Sequence, residues 1–162
     1  AVALEKPVAV RYPRGTAYTG LEEFRAPIEL GKSEMLFDGE EVAIFAVGSM
    51  VKTAMEVREL LLAKGVNATI VNGRFIKPID TVAIDLACAK HKLIVTMEEN
   101  VASGGYGETV ASYMQQKGFT NDIYMVAIPD RFIEQGSIDE LRAEIEMDAQ
   151  SITKRILETL HK

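Results

Sequence analysis

The segment Val42-Ala43-Ile44-Phe45-Ala46-Val47 is apolar at every position. A strand buried on both faces needs this pattern. After Gly48-Ser49, Met50, Ala54, Val57, Leu61 and Leu62 recur at spacings of three and four, which predicts a helix with one stripe toward a core. Lys64-Gly65 supplies a cation and a residue free to go left-handed, the usual end of such a helix. The alternation then repeats. Residues 68–71 read as a buried strand, Asp80 as the cap of a helix carrying Val82, Ile84, Leu86 and Ala87, and residues 93–97 as another strand. Gly104-Gly105-Tyr106-Gly107 opens a helix through Val110, Tyr113 and Met114 that stops at Lys117-Gly118. Residues 123–128 form the last strand, Pro129-Asp130 ends it, and two short helices near 137–146 and 148–160 close the chain. Upstream, residues 29–37 read as a strand followed by an Asp38-Gly39 hairpin turn, and residues 8–12 as a short strand stopped by Pro13. Residues 16–27, with Gly20 and Pro27 and no period, read as a linker. Strands alternating with helices imply crossover connections, hence an α/β sandwich with a mostly parallel sheet.

Composition narrows the class. The 162 residues suit one domain, or one domain with a fragment of a neighbour. Apolar residues at 48% and charged residues at 26% exclude wholesale disorder. The formal net charge of −6 argues against nucleic acid or a membrane surface as partner, because either selects a basic face. It leaves room for a small anion held by one or two arginines. The single cysteine, Cys88, excludes a disulfide framework and a cysteine zinc cluster, so a cytoplasmic protein is expected. No apolar run reaches the roughly 18–20 residues that span a bilayer. The opening Ala1-Val2-Ala3-Leu4-Glu5-Lys6-Pro7 reads as a chain cut inside a larger polypeptide.

In open parallel sheets, ligands sit beyond the carboxyl ends of the strands. Those ends carry Gly48-Ser49, Asn72-Gly73-Arg74, Glu98-Glu99-Asn100 and Pro129-Asp130. Glu98 and Glu99 are adjacent, so in an extended chain they point to opposite faces and make a poor acid–base pair. Helix capping and loop anchoring are the expected roles of this polar set. Gly104-Gly105-Tyr106-Gly107 could offer backbone amides to an anion, but it lacks both glycine-rich phosphate-loop spacings, and a tight turn or close approach of another chain is favoured. His91, between Lys90 and Lys92, is expected in a cationic cluster at a helix end. Neither it nor His161 has a partner suggesting a metal site or triad. Cys88 reads as a small buried apolar residue, and Ser49 lacks a nucleophile-elbow context. Arg11-Tyr12-Pro13-Arg14-Gly15 is different: two guanidiniums around a rigid proline suit a phosphate or carboxylate. Solvated linker charges or a structural ion pair fit the same string, and the residues alone leave the choice open.

Five blocks together carry a family resemblance. They are Pro7-Val8-Ala9-Val10-Arg11-Tyr12-Pro13-Arg14-Gly15, Ala46-Val47-Gly48-Ser49-Met50-Val51, Val71-Asn72-Gly73-Arg74-Phe75-Ile76-Lys77-Pro78-Ile79-Asp80, Glu98-Glu99-Asn100 with the following glycines, and Ile128-Pro129-Asp130-Arg131-Phe132-Ile133-Glu134-Gln135-Gly136-Ser137. In content and order they resemble the C-terminal part of the 1-deoxy-D-xylulose-5-phosphate synthase family. The resemblance implies that residues 1–15 are the last strand of a pyrimidine-binding domain. Residues 28–162 would form a transketolase C-terminal-type three-layer αβα sandwich. The parent enzyme would use thiamine diphosphate and magnesium to decarboxylate pyruvate and join the two-carbon unit to D-glyceraldehyde 3-phosphate. Its product, 1-deoxy-D-xylulose 5-phosphate, opens the non-mevalonate isoprenoid route and feeds thiamine synthesis.

The family's cofactor motif, catalytic histidines and activating glutamate lie upstream, and nothing in this sequence matches them. The resemblance therefore implies no catalytic, cofactor-binding or metal residue in this chain, and no activity without the upstream catalytic domains. Arg14 is implied to bind the phosphate group of glyceraldehyde 3-phosphate, with Arg11 as its neighbour. The remainder is implied to scaffold a homodimer, with Arg74, Glu98, Glu99 and the glycines in structural or interface roles. Gln135 stands where many relatives carry histidine, a change given no mechanistic weight. The alternatives are the C-terminal part of a transketolase or of a 2-oxoacid dehydrogenase β subunit, or a stand-alone regulatory or binding domain.

Overall fold

The computed structural model describes residues 2–12 and 17–161. Its strands are β1 (Glu34–Phe37), β2 (Val42–Ala46), β3 (Thr69–Asn72), β4 (Leu93–Val101) and β5 (Asp122–Ile128). Its helices are α1 (Met50–Leu62), α2 (Thr81–Lys90), α3 (Tyr106–Lys117), α4 (Ile138–Glu144) and α5 (Ala149–Leu160). The sheet order is β1-β3-β2-β4-β5, with β3, β2, β4 and β5 parallel and β1 antiparallel to β3.

Alternation along the central strands builds two cores. Val42, Ile44 and Ala46 of β2 and Leu93, Val95 and Met97 of β4 pack on one face with Met50, Ala54, Val57 and Leu61 of α1 and Ile152 and Ile156 of α5. Ala43, Phe45, Val71 and Ile94 pack on the other with Ile84 and Ala87 of α2 and Val110 and Met114 of α3. The three-layer αβα sandwich expected from the sequence is the observed architecture. The first helix buries the predicted stripe apart from Leu62, which faces out. Asp80 caps α2 by accepting from the Ala83 amide at 3.2 Å. Gly118 ends α3 in the left-handed conformation at φ 77°.

Several expectations change. The Asp38-Gly39 turn does not close a hairpin, because β1 pairs with β3 rather than β2. Gly39 is instead packed against the chain entering β3: its amide donates to Thr69 Oγ1 at 2.7 Å, and a Cβ there would lie 2.1 Å from the Asn67 carbonyl oxygen. The strand expected over 29–37 is only Glu34–Phe37, since a turn with Gly31 at φ 70° and a Lys32 to Glu29 backbone bond precedes it. Residues 8–12 are not in a strand, and Val8, Val10 and Tyr12 are exposed. A strand needs a neighbour for its amides and carbonyls, and the described chain offers this segment none. The stop at Pro13 lies outside the described residues. On α2 only Ile84, Ala87 and Cys88 are buried, so Val82 and Leu86 face outward. No helix among the described residues is long and apolar enough to cross a membrane.

Candidate functional site

Strands β2 and β4 run side by side, with Ala46 opposite Met97, so their carboxyl ends open onto one edge. Strand β4 continues to Val101, which makes Glu98, Glu99 and Asn100 strand residues rather than the loop expected after residue 97. The two glutamates diverge as an extended chain requires.

Glu98 is 3% exposed and accepts hydrogen bonds from the Tyr106 amide at 2.9 Å and the Gly107 amide at 2.8 Å. These are the first amides of α3, whose cap residue Gly105 supplies no side chain. A carboxylate at a helix N-terminus satisfies orphan donors and the positive end of the dipole. The chain itself thus fills the anion position that the glycine-rich turn suggested. A Cβ on Gly105 would lie 2.5 Å from Glu98 Oε1, so that glycine makes room for this carboxylate.

Glu99 turns to the opposite side. Its Oε2 accepts from Ser49 Oγ, its Oε1 lies 2.5 Å from Arg142 Nη2, and its carbonyl accepts from Arg11 Nη2 at 3.1 Å. Burial pushes the Glu99 carboxyl up, but the Ser49 and Arg142 hydrogen bonds and the charges of Arg142 and Arg11 outweigh it. The net direction is below the ordinary glutamate value, so Glu99 is ionised at neutral pH. Arg142, in the last turn of α4, also places Nη1 3.5 Å from Thr53 Oγ1 of α1. Ser49 spends its hydroxyl on Glu99 and makes no side-chain cap for α1.

The structure therefore joins Arg11, Ser49, Glu99 and Arg142. Arg14 lies outside the described residues. Nothing local in the sequence marks Arg142, since a cation in the last turn of a helix is ordinary dipole complementarity and its partner lies far along the chain.

Arg74 stands elsewhere, at φ 50° beyond β3, with Nη2 2.5 Å from the buried carboxylate of Glu34. Its Nη1 donates to the carbonyls of Ala26 at 3.2 Å and Pro27 at 3.3 Å, while Glu34 accepts from the Ala26 amide at 3.0 Å. The pair ties the segment before β1 to the sheet. Asp130, beyond β5, is exposed. His91 is not part of an exposed cationic cluster: it is buried, with Nδ1 donating to the Ala87 carbonyl at 2.9 Å and Nε2 2.8 Å from Thr69 Oγ1. Its neighbour Lys90 pairs with Asp38 at 2.5 Å. Cys88 is buried, as expected. Burial and the charge of Asp85 push its thiol up to about 11, which keeps it protonated at neutral pH. Among the described residues, no three His, Cys, Asp or Glu side chains are grouped to hold a metal ion. Two open grooves, of about 470 and 570 Å³, lie beside Thr81 and Tyr113 and beside Leu60 and Leu157, and neither is lined by the Glu99 cluster.

Residues 31–152 match a family model described as transketolase, C-terminal domain. The chain is similar to the 1-deoxy-D-xylulose-5-phosphate synthase of Lachnoclostridium phytofermentans, 41% identical over 156 residues, covering 96% of this chain and 25% of that protein. It is similar to the enzyme of the same name from Caldanaerobacter subterraneus, 38% identical over 155 residues with 96% and 25% covered. Among solved structures it resembles a split-gene transketolase described as an inactive β4 tetramer, with TM-score 0.78, 26% identity, and 84% of this chain and 44% of that one covered. A transketolase from Pichia stipitis shares the fold at TM-score 0.56 and 18% identity, with 81% and 18% covered. The chain spans about a quarter of the length of the two synthases.

Proposed function

The chain belongs to the transketolase C-terminal domain family, and from that premise we propose that it serves as the C-terminal domain of a 1-deoxy-D-xylulose-5-phosphate synthase. In this reading the whole enzyme joins the two-carbon unit of pyruvate to D-glyceraldehyde 3-phosphate with loss of carbon dioxide. In this reading thiamine diphosphate and magnesium are held by the upstream domains, since the one helix N-terminus set in a glycine-rich turn here is taken by the Glu98 carboxylate. Catalysis then depends on the upstream domains, and this chain supplies the acceptor's phosphate contact and a scaffold for the homodimer.

The observation that carries the reading is the bond from Arg11 to the Glu99 carbonyl. It brings the arginine-bearing segment to the strand-end edge, where ligands of parallel sheets collect. A guanidinium has five N–H donors, so one bond to a carbonyl leaves others for phosphate oxygens. Arg14, three residues on, is proposed as the main phosphate ligand. Carbon dioxide release from pyruvate tests the reading, with thiamine diphosphate, magnesium and glyceraldehyde 3-phosphate supplied. Turnover is expected when the chain is combined with the upstream catalytic domains and absent for the chain alone. Turnover by the chain alone overturns it.

The likeness to the split-gene transketolase favours one second reading, a transketolase C-terminal domain. Offering a ketose phosphate as donor in the same assay separates the two.

A further inference from the structure

Resting on the synthase reading above, we infer that Arg142 is a positioning residue: it occupies the Glu99 carboxylate so that Arg11 stays free for the acceptor's phosphate. The strand-end cluster holds two guanidiniums, Arg11 and Arg142, against the single carboxylate of Glu99. The two cations divide that residue unequally. Arg142 takes the carboxylate at 2.5 Å, and Arg11 takes only the main-chain carbonyl at 3.1 Å. The carbonyl is available because the pairing of β4 with β5 is interrupted between Met97 and Val101. With Glu99 neutralised by Arg142, the cluster keeps one positive charge in surplus, carried by the exposed Arg11.

The arrangement is built for placement more than for stability. Ser49 Oγ holds the second carboxylate oxygen, and the Ser137–Glu140 capping box fixes the start of the helix that carries Arg142. Arg142 Nε is buried and makes no hydrogen bond among the described residues, so the side chain is fixed through its two Nη atoms. Remove the Arg142 charge, and Glu99 becomes an ionised carboxylate with one hydroxyl donor beside a second guanidinium. A carboxylate adds the attraction of an opposite charge to the hydrogen bond that a neutral carbonyl already accepts from a guanidinium, so Arg11 swings onto the carboxylate. Its charge is then spent inside the protein.

The test uses the chain combined with its upstream catalytic domains, and compares glyceraldehyde 3-phosphate with unphosphorylated glyceraldehyde as acceptor. Arg142→Gln should raise KM for the phosphorylated acceptor by about ten- to a hundredfold, the worth of one charged hydrogen bond. KM for pyruvate and for glyceraldehyde should stay unchanged. Adding Glu99→Gln to Arg142→Gln should restore KM toward the native value, because no carboxylate remains to capture Arg11. Glu99→Gln alone, which needs no tolerance at position 142, should leave that KM at or below native. A double variant as impaired as the single, an equal loss with both acceptors, or a raised KM in Glu99→Gln would overturn the inference. Arg14→Ala is the control for the reading beneath it. Native turnover of glyceraldehyde 3-phosphate that is insensitive to Arg14→Ala, or no such turnover, refutes the synthase reading and the inference with it.

Discussion

Glu98 does from a neighbouring strand what a cap residue normally does from within the helix, and its removal should unseat α3. The carboxylate is 3% exposed and accepts two amides, Tyr106 at 2.9 Å and Gly107 at 2.8 Å. Glu98→Ala leaves both donors buried without partners, at about 1–3 kcal/mol each. The favourable contact of a negative charge with the helix N-terminus goes too, worth about 0.3–1 kcal/mol. Against this, the variant no longer buries a charge, which returns part of the desolvation cost. The expected loss is about 3 kcal/mol, a large share of the roughly 5–15 kcal/mol that holds a domain together. Glu98→Gln keeps one acceptor oxygen but turns an NH2 group against the other amide, so about 2 kcal/mol should go.

Urea unfolding of the chain, followed by circular dichroism, gives both values from the shift in midpoint at constant slope. Hydrogen exchange at the Tyr106 and Gly107 amides locates the damage, since those two amides should lose protection before β2 and β4 do. A Glu98→Ala variant within about 0.5 kcal/mol of native, the range of ordinary surface substitutions, would refute the claim that this carboxylate caps α3.

Three further outcomes follow from the same packing. Burial pushes Asp80 up, but bonds from the Ser33 amide and hydroxyl and the Ala83 amide outweigh it, leaving its carboxyl below the ordinary aspartate value of 3.8. A folded value below the unfolded one stabilises fully above that pH and is lost as pH falls through the folded value, so the deficit of Asp80→Asn should be present at pH 7 and shrink below about pH 4 in urea titrations. Arg74→Met strands the buried Glu34 carboxylate and should cost about 3–5 kcal/mol, whereas adding Glu34→Leu should recover much of it; additive losses in this cycle would contradict a coupled pair. Cys88, with its thiol at about 11, should react with a thiol reagent at pH 8 about a hundredfold more slowly in the folded chain than in urea.

How much of this was legible beforehand depended on how far each signal reaches along the chain. Val42 to Ala46 announced a strand buried on both faces because its message is local, and all five residues are buried. Asp38-Gly39 misled for the same reason. Its composition is that of a hairpin turn, but the glycine serves a close approach to the Asn67 carbonyl, nearly thirty positions later in the chain. Val8 to Tyr12 has strand composition, and composition cannot supply the neighbour that a strand must pair with. The divergence of Glu98 and Glu99 was readable from the two-residue period of an extended chain, whereas the partners were not: Arg142 is 43 residues from Glu99, and Arg11 is 88.

The two adjacent glutamates also explain where an anion could be met. A helix N-terminus beyond a parallel strand is the ordinary seat for a phosphate. Here Glu98 takes that seat at α3, and at α1 the Met50, Val51 and Lys52 amides already donate to the Val47, Gly48 and Ser49 carbonyls. On the reading proposed above, an incoming phosphate is then met by side chains carrying their own charge. Arg74 is engaged by Glu34, and Arg142 by Glu99. Of the arginines that the structure places at the strand-end edge, Arg11 is the one whose charge no carboxylate has taken. That division of labour is why the proposed phosphate contact falls to the segment before the domain rather than to the sheet itself.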